Sequence, residues 1–167
     1  DFTKLPLTYE DAFQLMDQSN WAMVNNPDSA NTLHLREKPE RGSTSLGKFY
    51  NGTPVKVLER KGEWVQVELA DLSGWMLADY LAFGADMNQV VPAYPGLTGL
   101  ESLENKPMPL YSRPDENSTV IAKHDITNYH PYVWIIGVVD DEWFYVYYAY
   151  EDLGGYMKQA WFWEGNG

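Results

Sequence analysis

The sequence predicts an all-β fold, with two tandem small β-barrels behind a short N-terminal helix. Short runs that alternate apolar and polar residues with a period of two predict strands. Gly, Pro and Asn turn signals at close spacing favour small barrels over an open sheet. The segment 62–81, GEWVQVEL followed by GWMLADYL, recurs loosely over 141–162 as DEWFYVYY followed by GGYMKQAWF. This recurrence predicts two copies of one β unit.

The chain length fits two such units. Its 167 residues are 44% hydrophobic and 15% aromatic, enough for two small cores. We expect a helical lead-in at 1–20, a first barrel at 21–83, a connector at 84–105 and a second barrel at 106–167. A unit of about 60 residues buries only about 60% of its unfolded surface, so each barrel is marginal alone.

The charge and the lack of cysteine exclude several functions. The net charge is −12, and residues 84–167 alone contribute −8. Because nucleic acids are bound by Lys and Arg, we expect no nucleic-acid partner. The chain has no cysteine, and therefore no disulfide, no thiolate metal site and no thiol nucleophile. No apolar run approaches the ~20 residues of a membrane span, so we expect no membrane insertion.

Turn signals divide the first half into short elements. A helix is expected at 8–18, where Thr8 can act as the N-cap. Strands are expected at 21–25, 32–36, 46–50, 55–60, 64–69 and 75–77, with a 3₁₀ turn at 78–81. Within the strand 64–69, alternation places Trp64, Gln66 and Glu68 on the face opposite Val65, Val67 and Leu69.

The second half follows the same plan with insertions. Strands are expected at 108–112, 119–123, 132–139 and 143–150, separated by a loop at 113–118 and a longer segment at 124–131. The connector has no sustained period, although Gln89, Val90 and Val91 are candidates for pairing with a sheet edge.

Both units resemble bacterial SH3 domains. The leading pattern of that family, hydrophobic-x-hydrophobic-Arg-x-x-Pro, appears as LHLREKP at 33–39 and, with its Arg one position late, within PLYSRP at 109–114. A Glu-Trp strand start and a Gly-aromatic-hydrophobic ending complete the resemblance. It implies an SH3-like barrel, and bacterial members resemble wall-targeting and peptide-binding modules of exported envelope proteins. Eukaryotic SH3 domains bind extended proline-rich peptides on an aromatic groove.

The resemblance implies a groove in each unit. Trp64 and Trp143 match the groove tryptophan, and Tyr80 and Trp161 match the tyrosine of the final turn. Tyr111 matches the first groove tyrosine.

Other positions depart from the family's groove. Leu35 stands where the first unit would have the tyrosine matched by Tyr111. Leu77 and Lys158 replace the groove proline, which argues against polyproline recognition.

These aromatic residues have a second interpretation, as core. The polar partners of Trp64 on its strand face favour partial exposure and binding, whereas packing of the same ring inside the fold is the competing interpretation. For Tyr80 and Trp161, anchoring of the domain end competes with a groove role. Trp75 and Tyr156 have apolar neighbours, and we expect both to be core residues.

Three acids, Asp140, Asp141 and Glu142, directly precede Trp143. They are either an exposed hairpin turn or the rim of an aromatic platform that favours a ligand with an amine. A calcium site is the weaker interpretation, because the oxygen-ligand spacing of known loops is missing.

Catalysis finds little support in the sequence. His34 lies inside a strand pattern, and His124 and His130 lie in the inserted segment without metal-ligand spacing. No nucleophile elbow or phosphate loop is present. We therefore expect no catalytic residue, no metal and no cofactor.

The resulting hypothesis is a non-catalytic binding or targeting module of a bacterial secreted or cell-envelope protein, with a peptide or peptidoglycan stem peptide as ligand. The alternative is a structural module that packs on itself or on other domains of the parent protein. The envelope location follows from the resemblance alone. Because the chain begins at Asp1, we expect a mature or trimmed fragment.

Overall fold

The computed structural model describes residues 20–93, 97–99, 108–124, 132–140, 142–148 and 153–158. These residues form β-strands with two short 3₁₀ helices, so the predicted all-β class is confirmed. The helix predicted at 8–18 lies outside the described residues. Among the described residues, no helix combines the length and apolar character that crossing a membrane requires.

The strands of the first half follow the predicted turns closely. They are β1 (Trp21–Val24), β2 (Thr32–Arg36), β3 (Ser45–Tyr50), β4 (Pro54–Lys61), β5 (Trp64–Leu69), β6 (Leu72–Leu77) and β7 (Leu81–Phe83). The 3₁₀ helices are Ala78–Tyr80 and Gly84–Gln89. β7 was not predicted from the sequence, because a strand of three residues is too short to show an alternation of apolar and polar residues. It pairs with β1.

The second half begins inside the predicted connector. Its strands are β8 (Leu97–Gly99), β9 (Met108–Tyr111), β10 (Val120–His124), β11 (Tyr132–Val139), β12 (Trp143–Tyr148) and β13 (Leu153–Lys158). The connector is therefore not free of regular structure, because β8 pairs with β11. The proposed edge segment at 89–91 instead starts at the end of a 3₁₀ helix.

One continuous sheet runs through both halves, in the order β10-β9-β13-β12-β11-β3-β2-β6-β5-β4-β1-β7. The halves meet where β3 pairs with β11, at Phe49 opposite Gly137 and Lys48 opposite Val138. A Cβ at position 137 would lie 2.4 Å from the Phe49 ring, so this close approach requires glycine. Sequence periodicity could not show this pairing, which joins strands far apart in the chain.

The core is also shared between the halves. The Phe49 ring meets the Tyr145 ring edge-on, with 5.8 Å between their centroids. The ring centroids of Tyr145 and Tyr156 are 4.8 Å apart. The Tyr156 hydroxyl donates a 3.0 Å hydrogen bond to the carbonyl of Leu69. Burial raises the pKa of Tyr156 well above its ordinary value, so the hydroxyl remains a donor. Aromatic side chains of the second half thus pack directly against the first.

The two residues predicted as core have different outcomes. Tyr156 is fully buried, as predicted. Trp75 is only half-buried, because on β6 it alternates with the buried residues Gly74 and Met76. Its apolar neighbours in sequence point to the opposite face of the strand.

One loop conformation occurs twice, 75 residues apart. The amide of Glu37 donates to the carbonyl of Thr44 at 2.9 Å, and the amide of Ser112 donates to Thr119 at the same distance. Two further backbone bonds recur in each loop. The amides of Glu40 and Asp115 donate to the carbonyls of Lys38 and Arg113, each at 2.7 Å. The amide of Ser43 donates to the carbonyl of Glu40 at 3.1 Å, and that of Ser118 to the carbonyl of Asp115 at 3.0 Å. The loops 37–44 and 112–119 therefore share one backbone hydrogen-bond pattern.

Candidate ligand-binding cleft

A cleft of about 390 Å³ opens in the first half. That volume lies within the ~300–1,000 Å³ range of small-ligand sites. Its wall is formed by the start of β5, the end of β6, β2, and two loops; the lining residues are Asn26, Pro27, Asn31, Thr32, Leu33, His34, Arg36, Arg41, Trp64, Leu77 and Tyr80.

The apolar wall is formed by Trp64, Leu77 and Tyr80. Trp64 is the first residue of β5 and lies opposite Leu77, the last residue of β6. The amide of Ala78 then donates to the carbonyl of Glu63 at 2.9 Å, which holds the 3₁₀ helix carrying Tyr80 beside β5. The structure thus brings together the two aromatic residues that the resemblance implied for this unit.

Trp64 combines features of both interpretations offered by the sequence. The residue is 7% exposed, yet it lines the cleft. Val65, Val67 and Leu69 are buried on the other face of β5, as the alternation predicted. Tyr80 is half-buried at the cleft wall.

The polar wall consists of His34 and Arg36 from β2 and Arg41 from the following loop. Nη1 of Arg36 donates to the carbonyl of Ser43 at 2.9 Å, and Nδ1 of His34 lies 2.7 Å from Oγ of Ser45. None of these three was predicted as a site residue. Arg36 belongs to the family's leading pattern, which does not mark it as a site residue, and no motif in the sequence includes Arg41.

The electrostatics of this wall favour an anion. Burial lowers the pKa of His34, and the positive charges of Arg36 and Lys48 lower it further, so the imidazole is neutral at pH 7. Nη2 of Arg41 lies 4.0 Å from Oε2 of Glu63, with both side chains largely exposed. Among the described residues, no carboxylate oxygen lies within 4.0 Å of the Arg36 guanidinium nitrogens.

In the second half, a lysine faces the tryptophan across the ladder. Lys158 lies opposite Trp143 in the β12–β13 ladder, as Leu77 lies opposite Trp64. Its Nζ is 5.9 Å from the Trp143 ring centroid and forms an ion pair with Glu116. Trp143 is 5% exposed and belongs to the shared core.

Tyr111 packs against Trp143, and its strand pairing differs from the position predicted from the sequence. Its ring meets Trp143 edge-on with 5.5 Å between centroids. Tyr111 pairs with Tyr156, whereas in the first half Arg36 pairs with Trp75. The comparison of Tyr111 with Leu35 is therefore wrong by one residue.

The close contacts of the glycines in β6 and β13 also match Tyr111 with Arg36 rather than with Leu35. A Cβ on Gly74 would meet the carbonyl of Arg36 at 2.7 Å and the side chain of Leu35 at 2.9 Å. A Cβ on Gly155 would meet the carbonyl of Tyr111 at 2.8 Å and Leu110 at 2.7 Å. Tyr111 therefore occupies the position of Arg36.

Asp140 and Glu142, predicted as site residues, do not line the cleft. Asp140 and Glu142 are exposed, and Asp140 has a left-handed φ of 52°. Asp141 and Trp161 lie outside the described residues. Among the residues that the structure describes, no group of three or more His, Asp or Glu side chains is placed to hold a metal ion.

The cleft lies within a segment that matches a known family. Residues 31–82 match the family model of the bacterial SH3 domain. The match covers β2 to β6 and the 3₁₀ helix with Tyr80, and so most of the cleft wall.

Solved structures and curated proteins add little to this match. NlpC1 from Trichomonas vaginalis is 14% identical, with a TM-score of 0.35, over 87% of this chain and 45% of that one. NlpC2 from the same organism is 15% identical, with a TM-score of 0.33, over 90% of this chain and 51% of that one. The chain thus spans about half the length of these two structures. No curated protein matches the chain.

Proposed function

We propose that this chain is a non-catalytic peptide-binding module and that its ligand lies in the cleft beside Trp64. The observation that carries the proposal is the convergence of Trp64, Leu77 and Tyr80 on one open cleft within the segment that matches bacterial SH3 domains. Flat aromatic rings and an apolar side chain provide contact area at low entropic cost, while the Arg36 side provides orientation.

We further propose that the ligand is a peptidoglycan stem peptide and that the parent protein acts in the bacterial cell envelope or outside the cell. The resemblance to wall-targeting modules supports this choice. The lining supports a peptide in general, because it combines aromatic and apolar side chains with polar ones, as peptide-recognition grooves do.

The second half is, in this proposal, a divergent SH3-like copy that does not share the binding function. The hydrogen-bond pattern common to loops 37–44 and 112–119 supports a common origin, as do the matched Trp64–Leu77 and Trp143–Lys158 pairs. Lys158 lies over the ring of Trp143, where a ligand would otherwise pack.

The structural alternative has its own supporting observation. The second half contributes Trp143, Tyr145 and Tyr156 to the core shared with the first half. For the second half, therefore, packing is the function that these aromatic residues serve, and binding is assigned to the first half.

A single substitution tests the cleft. Leu77→Lys gives the first half the residue that Lys158 provides in the second half, and the new side chain should cover the Trp64 ring. We expect retention on insoluble peptidoglycan to fall at least about tenfold, because the cleft is filled. The measurement is a pull-down of purified chain at modest salt, with folding checked by circular dichroism.

Leu58→Lys is the matched control. Leu58 is 45% exposed on β4 and does not line the cleft, so the same change of charge should leave retention unaltered. Equal loss in both variants would show a general charge effect and contradict a role for the cleft. Absence of retention for the wild-type chain would favour the structural alternative.

A further inference from the structure

The lining of the cleft has a charge opposite to that of the molecule. The chain carries a net charge of −12, yet the described residues that line the cleft include no Asp or Glu, whereas they do include the cations Arg36 and Arg41 beside the neutral His34. An acidic protein that places cationic side chains in an aromatic-walled cleft presents a local anion site.

Arg36 is the best-placed of these cations. It is half-buried on β2 and uses Nη1 to hold the carbonyl of Ser43, which fixes the guanidinium against the loop. A guanidinium has five N–H donors, so most of them remain for a ligand. Ion pairing with a carboxylate of the described residues is absent at Arg36, whereas the more exposed Arg41 already lies near Glu63.

We propose that Arg36 binds a carboxylate of the peptide ligand, with Arg41 adding long-range attraction at the mouth of the cleft. This inference rests on the proposed peptide-binding function and names the chemistry that selects the ligand. The planar guanidinium binds a carboxylate through two parallel hydrogen bonds, while the adjoining residue of the peptide packs on Trp64 and Leu77. A peptide that ends in a small apolar residue with a free carboxylate fits both walls.

Synthetic stem peptides test this assignment. The probe is a stem tetrapeptide in three forms: with all carboxylates free, with its C-terminal carboxylate amidated, and with its isoglutamyl carboxylate amidated. Calorimetric titration of the wild-type chain should show affinity reduced by about 10 to 100-fold for the amide of whichever carboxylate Arg36 holds, because that amide loses a charge-assisted pair. We expect the C-terminal amide to be the weaker ligand.

Substitutions locate the effect. Arg36→Gln should reduce the affinity for the free peptide by the same factor and abolish the difference in affinity between the acid and the amide. Arg36→Lys keeps the charge without the planar guanidinium, so its affinity for the free peptide should lie between those of the wild type and Arg36→Gln. Lys48→Gln is the control, since Lys48 is exposed and near His34 but does not line the cleft.

The imidazole of His34 provides a readout in the unmutated chain. A carboxylate bound beside Arg36 should raise the pKa of His34 in NMR titrations, and the C-terminal amide should not. This measurement stays valid even when Arg36→Gln loosens the loop that Arg36 closes.

The outcomes separate the two proposals. If all three peptide forms bind equally and Arg36→Gln has no effect, carboxylate recognition is overturned while the cleft remains a binding site. If the wild-type chain binds none of the three forms, the proposed function is overturned together with this inference.

Discussion

At the scale of single residues, the two halves differ most where their aromatic clusters meet the solvent. Leu77 leaves the Trp64 cleft open, whereas Lys158 covers Trp143. Arg36 gives the first cleft a cation, and Tyr111 takes that position in the second half. Two positions therefore distinguish the open cleft from the packed aromatic cluster.

The same residues show how far the sequence predicted the site. Trp64 and Tyr80 were predictable because the resemblance fixes their positions relative to β5 and the 3₁₀ helix. The contributions of Arg36 and Arg41 were not, because they depend on how β2 pairs with β6 and on how the loop after β2 approaches the start of β5. Strand register, rather than local pattern, determines such contacts.

His34 predicts a pH dependence of stability. Its pKa is lowered from 6.5 by burial and by Arg36 and Lys48, so protonation favours the unfolded chain. Its contribution is complete above pH 6.5 and is lost as the pH falls through the lower pKa of the folded state. The free energy of unfolding, measured with urea between pH 8 and about 5, should therefore decline more steeply for wild type than for His34→Asn.

Loss of the Ser45 hydrogen bond shifts the His34→Asn curve by a constant amount and leaves its slope unaffected. Identical slopes for the two proteins would refute the assignment to His34.

At the scale of elements, the β3–β11 pairing determines the architecture. The predicted strands were largely correct, since β2, β5 and β11 match their expected bounds. Their partners could not be read from the sequence, because alternation identifies a buried face but not the strand beside it. Two tandem barrels were expected, and in the described residues one sheet crosses from half to half.

Gly137→Ala tests this junction. The added methyl would lie 2.4 Å from the Phe49 ring and 3.3 Å from the carbonyl of Lys48. Overpacking of this kind costs about 1–3 kcal/mol, so we expect the free energy of unfolding to fall by that amount. Denaturant titration followed by circular dichroism measures it.

Gly42→Ala is the control for this substitution, because nothing lies within 4 Å of a Cβ at that loop position. Its effect should stay within about 0.5 kcal/mol. If Gly137→Ala were equally mild, β3 and β11 would not be in close contact.

At the scale of the whole molecule, the two halves share one core, and the first half also has an open cleft. Tyr145 and Tyr156 of the second half stabilise the junction by packing, through Tyr145, against Phe49 of the first half. The first half keeps an open cleft whose charge is opposite to that of the acidic chain. Composition predicted the aromatic cores and the acidic surface, but an average charge could not reveal a local cationic wall.

The most direct test of this account is an NMR titration of the wild-type chain with the free stem tetrapeptide. We predict that the largest shift changes fall on the Trp64 indole, Tyr80 and the β2 amides near Arg36, with smaller changes at Trp143 and Lys158. Changes centred on the Trp143 cluster, or none at millimolar peptide, would contradict the assignment of ligand binding to the first-half cleft.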